Sequence, residues 1–474
     1  MAKDLILALD QGTTSSRALL FDQRGSLVDS AQYPFSQLYP QPGWVEHDPM
    51  EIMSTQLAAL TGVLVNAHID PDRIAAVGIT NQRETTVLWH RQTGLPIANA
   101  IVWQCRRTAA MVEQLCADAE VSRRITDLTG LVPDAYFSAS KIAWLLDHTP
   151  GARELAKQGE LAFGTIDSWL VYALTGGAVH ATDVTNASRT MLFDIHKGVW
   201  DSWLLELFNV PASLLPEVKP SAADYGLTVH PSVPKGLRIA SLVGDQQAAL
   251  FGQRCFTMGE AKNTLGTGAF LLMHTGQRAC TSKNRLVTTV AASVPEQSNL
   301  EYALEGSVFV AGALVQWLRD ELGLISTAAE SEDMAVSVPD SGGVHVVPAF
   351  TGLGAPWWDA DARGAILGLT RGATKEHIVR AALESLAYQS ADLIAAFEDD
   401  ADVSIKSLKV DGGAAANSFL VQFMADLLGI PIDRPESPEA TGLGAAFLAG
   451  LTSGLWQDQA ELLALDLPAQ QFVP

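Results

Sequence analysis

Little in this chain speaks for disulfides, membranes or nucleic acid. Cysteine is scarce: Cys105, Cys116, Cys255 and Cys280 are the four in 474 residues, and no two stand as CxxC. Reduced, buried thiols are the expectation, rather than a disulfide framework or a thiolate metal site. No apolar run reaches the roughly 18 residues of a membrane span, so no membrane insertion is expected. The N-terminus enters a strand-like run within a few residues, without the basic-then-apolar pattern of a secretion signal, and the expected location is the cytoplasm. Positive charge is in short supply, since 31 Lys and Arg face 53 Asp and Glu for a formal net charge of −22. Such a surface repels nucleic acid and anionic lipid, and a site for an anionic ligand must gather its own cations. Also missing are GxxxxGK[ST], the HRD and DFG motifs, HExxH and GxSxG. Their absence removes P-loop enzymes, protein kinases, zincins and the serine nucleophile elbow.

What is present describes a well-packed α/β protein. Hydrophobic residues make up 48% and charged residues 18%, a globular balance, and 474 residues exceed what one core holds. Two domains are expected, 1–250 and 251–474, with strands and helices alternating on mixed sheets.

The chain opens on two apolar strand-like runs, Leu5 to Leu9 and Ala18 to Phe21, around Asp10-Gln11-Gly12-Thr13-Thr14-Ser15-Ser16-Arg17. One acid, one glycine, four hydroxyls and one base in eight residues suit a phosphate. Small side chains let backbone N–H groups approach it, Arg17 offers a cationic fork, and Asp10 is a carboxylate for Mg²⁺. Ser26 to Gln32 adds a third strand, and a helix is predicted from about Met50 to His68. Ile74 to Thr80 reads as a buried strand that ends in Asn81-Gln82-Arg83-Glu84-Thr85, with further strands at Thr86 to His90 and Ala100 to Trp103. Near residue 240 the pattern starts again. Ile239 to Val243 is a strand, Gly244-Asp245-Gln246-Gln247 opens a helix, and Ala261 to Met273 repeats the strand, Gly/Thr turn, strand of residues 5–21. Glycine-rich loops follow at 351–356 and 411–417.

Three groups stand out as chemistry, each beside a plainer reading. Asp245 at a helix start is either a cap or a base that takes the proton of a hydroxyl attacking a phosphate. Arg83-Glu84 is either a structural ion pair or a donor beside an acceptor, as vicinal hydroxyls require. Trp103 and Phe270 are core aromatics or apolar walls for a small carbon chain.

Longer stretches add a resemblance. ALDQGTTSSRA at 8–18, PGWVEHDPMEI at 42–52, GITNQRETT at 78–86, NAIVWQCRRTA at 99–109 and TNASRTMLFDIH at 185–196 lie in the first half. GDQQAALFGQ at 244–253, VPAFTGLGAPWWD at 347–359 and VDGGAAAN at 410–417 continue it, with signature regions at 136–148 and 364–384. On these the chain resembles the FGGY carbohydrate kinases over nearly its whole length, and among them those that act on glycerol.

The resemblance implies two ribonuclease H-like domains of the actin–hexokinase type with a catalytic cleft between them. It implies Mg²⁺ and ATP as cofactor and phosphoryl donor, sn-glycerol 3-phosphate as product, and a homodimer or homotetramer. Asp245 would be the base, with Asp10 and Asp245 near the metal. Arg83, Glu84, Tyr136, Asp245 and Gln246 would hold glycerol against Trp103 and Phe270. Thr13, Thr14, Ser15 and Arg17 would meet the phosphates from the N-terminal domain and Thr267 from the C-terminal one. Gly312, Gln316, Gly413 and Asn417 would line the base and sugar. Leu265 and Ala269 depart from the larger aromatic and cysteine expected there, a change of packing rather than chemistry. The alternatives are a family kinase of another polyol or ketose, and an actin-like ATPase with no need of Arg83, Glu84 and Tyr136 together.

Overall fold

A computed structural model describes residues 3–294, 299–359 and 361–474. Packing sorts the chain into two units that each gather several segments. The first holds Met1–Arg254, Thr289–Tyr302 and Ala440–Asp466; the second holds Cys255–Thr288, Ala303–Glu439 and Leu467–Pro474. A single cut near residue 250 therefore misses the return of 440–466 to the first unit.

The first unit is built on a five-stranded sheet in the order Ile239–Gly244, Ile74–Asn81, Leu5–Gln11, Ser15–Asp22, Leu27–Pro34. Leu5–Gln11 is buried at every position, which is why Leu5 to Leu9 is a continuous apolar run and not an alternation. Leu5, Leu7 and Leu9 share a core with Ile52 and Leu60 of the helix Pro49–Asn66. By strand alternation Ile6 and Ala8 face the other side, where the helix Ala440–Ser453 lies across the sheet.

That second cover depends on glycine. A Cβ on Gly78 would stand 2.4 Å from the Ala445 carbonyl oxygen, and one on Gly444 would stand 1.8 Å from that of Ala248. The helix thus sits directly on the sheet and on the helix Asp245–Gly252. The helix Pro49–Asn66 starts where Asp48 accepts from the Met50 N–H and proline takes the first helical position, one residue before the predicted start. The strand predicted to reach Trp103 ends at Ile101 instead.

Three neighbouring strands of this sheet are parallel, and they finish level. Gln11 pairs with Asn81, and Asn81 with Gly244. The residues that follow each strand therefore leave the sheet at one edge: Gly12 onward, Gln82-Arg83-Glu84, and Asp245. The carboxyl edge of parallel strands is where open α/β sheets bind ligands.

The second unit has a seven-stranded sheet whose middle repeats this order. Ala261–Leu265 pairs antiparallel with Ala269–Gly276 and parallel with Leu408–Asp411, which is parallel to Ile432–Pro435. Leu5–Gln11 has the same relations to Ser15–Asp22, to Ile74–Asn81 and, through that strand, to Ile239–Gly244. The echo between the two hairpins is a repeat of topology.

Candidate active site

In the first turn, Asp10 lies opposite Arg17 in the hairpin register, and the Arg17 guanidinium donates to the Asp10 carboxylate. Asp10 is buried while the Arg17 side chain stays 31% exposed. Sequence reading gave the two separate tasks; the fold ties them into one charged pair. Thr13 is also engaged, for its hydroxyl accepts from the indole N–H of Trp103 at 3.0 Å. Trp103 meets the edge of Tyr136 with ring centroids 5.5 Å apart. Thr14 and Ser15 bind the neighbouring strand: the Phe35 N–H donates to the Thr14 carbonyl, and Gln32 Nε2 to Ser15 Oγ at 2.8 Å.

The Arg83-Glu84 pair does not behave as an isolated ion pair. Their closest approach is 3.7 Å, whereas Arg83 Nε stands 3.2 Å from Asp245 Oδ1 and Arg83 Nη1 donates to Gln247 Oε1 at 3.2 Å. Glu84 takes its short contact from Arg189, whose Nε donates to Oε1 at 2.7 Å. All three of Arg83, Glu84 and Arg189 are buried, while the Asp245 side chain keeps 29% exposure. The carboxylate nearest solvent is thus the one suited to exchange a proton. Gly244 makes this possible, because a Cβ there would meet Arg83 Cγ and Cδ at 2.8 Å. Asp245 is the first helical residue, one past the N-cap position that Gly244 fills, and its carboxylate accepts from the adjacent Gln246 N–H at 2.7 Å, so it stands in the first turn rather than as the cap.

Several braces escape sequence reading. Gln82 Nε2 donates to Gln11 Oε1 at 3.0 Å and to the Gly12 carbonyl at 3.1 Å, fastening the phosphate-type turn to the next strand end. Lys141 is fully buried, and its Nζ donates to the carbonyls of Glu84 at 3.1 Å and Tyr136 at 2.6 Å. Burial pulls its ammonium down to about 7, against the raising pull of Glu84. The only local signal was a lysine inside an apolar helix, which spacing alone reads as a solvated residue.

In the second unit, Thr267 is exposed at the tip of its hairpin between Gly266 and Gly268. The helix Gly312–Asp320 docks there: the Gly312 N–H donates to the Gly266 carbonyl and the Ala311 N–H to that of Thr267, both at 2.8 Å. A Cβ on Gly312 would stand 2.6 Å from the Gly266 oxygen, and one on Gly412, at φ +87°, would stand 2.7 Å from the Leu265 carbonyl. Three loops therefore meet backbone to backbone. Nothing lies within 4 Å of a Cβ on Gly413, and Gln316 is exposed on its helix. Asn417 spends its carbonyl as the cap of Ser418–Leu428, accepting from the Leu420 N–H at 2.9 Å, and its amide donates to Ser331 Oγ at 3.2 Å. Phe270 is half-buried on Ala269–Gly276, opposite Thr264.

Comparison with known proteins identifies the family. The model of the FGGY family of carbohydrate kinases, N-terminal domain, matches residues 5–252, and that of the C-terminal domain matches 261–453. A glycerol kinase of Symbiobacterium thermophilum is 57% identical, with 99% of this chain and 96% of that one covered. The solved structure of Plasmodium falciparum glycerol kinase with ADP matches at TM-score 0.92 and 37% identity, covering 100% of this chain and 94% of that one. Xylulose kinase from Lactobacillus acidophilus matches at TM-score 0.88 over 99% and 94%, a likeness of fold at 22% identity. The repeated sheet is the ribonuclease H-like, actin–hexokinase type of fold, and the chain belongs to the FGGY family of carbohydrate kinases.

Proposed function

We propose that this protein transfers the terminal phosphoryl group of ATP to glycerol, giving sn-glycerol 3-phosphate and ADP. The observation that carries the reading is the cluster of Arg83, Glu84, Asp245 and Arg189 at the level strand ends, in a chain 57% identical to a glycerol kinase. A triol needs donors and acceptors together, and this cluster offers both with most of its members buried. Asp245 takes the hydroxyl proton as oxygen attacks phosphorus, while Arg83 holds that carboxylate and donates to a hydroxyl. Glu84, already neutralised by Arg189, accepts from another, and Gln246 and Tyr136 complete the polar set. Trp103 and Phe270 serve the carbon chain. Phosphoryl transfer asks little covalent chemistry of the protein, so position and charge carry most of the rate.

The triphosphate is assigned to Thr13, Thr14, Ser15, Arg17 and Thr267, with Gly312, Gln316, Gly413 and Asn417 at the base and sugar. No group of three or more His, Cys, Asp or Glu suited to a metal occurs among the described residues. Mg²⁺ is commonly held by one or two carboxylates plus substrate phosphates, and Asp10 and Asp245 are the two carboxylates assigned to it here. When bound, the ion neutralises phosphate charge, a need made acute by a net charge of −22. No helix among the described residues is long and apolar enough to cross a membrane, in line with a cytoplasmic enzyme.

A panel of glycerol, erythritol, dihydroxyacetone and xylulose in an ADP-release assay tests the reading. Turnover fastest on glycerol is expected. Preference for a longer sugar moves the activity elsewhere in the family, and ATP turnover indifferent to every polyol defeats it.

A further inference from the structure

The buried polar layer behind Asp245 is not used by the steps above. Asp183 is fully buried, and its carboxylate accepts hydrogen bonds from the Thr185 and Asn186 N–H groups at 3.1 and 2.9 Å, Asn186 Nδ2 at 3.0 Å and Ser221 Oγ at 2.6 Å, besides the Thr185 hydroxyl at 2.7 Å. With its proton given to Asp183, the Thr185 oxygen is left to accept, and the Gly244 N–H donates to it at 2.8 Å. A second route reaches the same place. Asn186 and Asn81 exchange a reciprocal pair of amide hydrogen bonds at 3.0 and 3.1 Å, and Asn81 is the register partner of Gly244. Gly244 in turn carries the stem of Arg83 and immediately precedes Asp245.

We propose that Asp183 and Thr185 are positioning residues: the carboxylate orients the Thr185 hydroxyl, and that hydroxyl pins the Gly244 amide so that Asp245 and Arg83 are held at one fixed separation. The proposal rests on the reading of Asp245 as the base. The hydroxyl is suited to the task because one atom must both donate and accept along a fixed line, which neither a methyl nor an amide N–H can do. Misplacing a reacting group by about 1 Å costs on the order of 100-fold in rate, so a loosened pin appears in turnover before it appears in binding.

The test compares Thr185→Val, which keeps the shape and loses the hydroxyl, with Thr185→Ser, which keeps the hydroxyl and loses a methyl. Kinetics use whichever polyol of the panel the parent phosphorylates, so a parent inactive on all of them defeats the underlying reading and not this relay in particular. The valine form is expected to lose about 10- to 100-fold in kcat with KM for polyol and ATP within about 3-fold, and the serine form to stay within about 3-fold of the parent. A folded valine form with parental kcat overturns the proposal. So does an equal loss in the serine form, which would mark a packing role, or a loss carried by KM alone. Should the valine form not fold, Thr185→Ala removes the same hydroxyl and carries the same expectation.

Discussion

Asp245 is the residue on which the proposed chemistry turns. It is the least buried member of its cluster and the one carboxylate there that is not enclosed. Asp245→Asn keeps the shape and removes the basicity, so kcat is expected to fall by about 10²- to 10⁴-fold. Both substrates should still bind by calorimetry, and near-parental turnover would take Asp245 out of the base role. Arg83→Ala is expected to raise KM for glycerol well above any change for ATP. Because Arg83 also bonds Asp245 and Gln247, the same variant should lose kcat, and removing the buried guanidinium from its partners should also lower stability. Urea unfolding alongside the kinetics separates the two effects. Lys141 gives a pH signature. Its folded-state value of about 7 lies below the ordinary 10.5, so between those values the unfolded chain binds a proton that the folded chain does not. Stability should therefore rise with pH from 7 towards 10, with a slope of at most about 1.4 kcal/mol per pH unit from this group. Lys141→Met should remove that part of the slope, which urea titrations at several pH values would read.

At the scale of elements, the site depends on a helix that sequence reading left unassigned. Ala440–Ser453 covers the sheet face from which the three level strand ends emerge, and it touches the helix that Asp245 begins. Gly444→Ala puts a methyl 1.8 Å from the Ala248 carbonyl oxygen, which no rotamer relieves. Overpacking of this kind costs about 1–3 kcal/mol, and the shift should reach Asp245. A lower melting temperature together with lower kcat is expected, and a parental value of either would show that the crossing adjusts locally. The strands themselves were legible in sequence, since Leu5 to Leu9 and Ile74 to Ile79 are unbroken apolar runs that lead into polar turns. Helix ends moved by a residue or two, as at Pro49, because capping by Asp48 competes with apolar spacing. The Arg83-Glu84 pair shows the limit. Adjacency suggested mutual pairing, but the two residues lie in a bend beyond the strand end, and each found its closer partner in a distant segment.

At the scale of the molecule, the first unit is not a contiguous stretch. A fragment ending at Arg254 lacks Ala440–Asp466 and would expose one face of its five-stranded sheet to water. Such a fragment is expected to be unfolded or aggregated by circular dichroism and sedimentation, and a soluble, cooperatively melting one would show that the return segment is dispensable.

Local chemistry settled what the sequence by itself determined: the apolar strands, the two Gly/Thr turns, the acid at each strand end and the absence of other nucleotide motifs. Each of these is written in residues a few places apart, where backbone sterics and side-chain period act. Only the tertiary structure decided that Asn81 meets Asn186 across 105 residues, that Glu84 meets Arg189 across 105, and that Thr185 reaches the Gly244 amide across 59. Buried polar groups must find partners wherever the fold supplies them, and sequence distance places no bound on where that is.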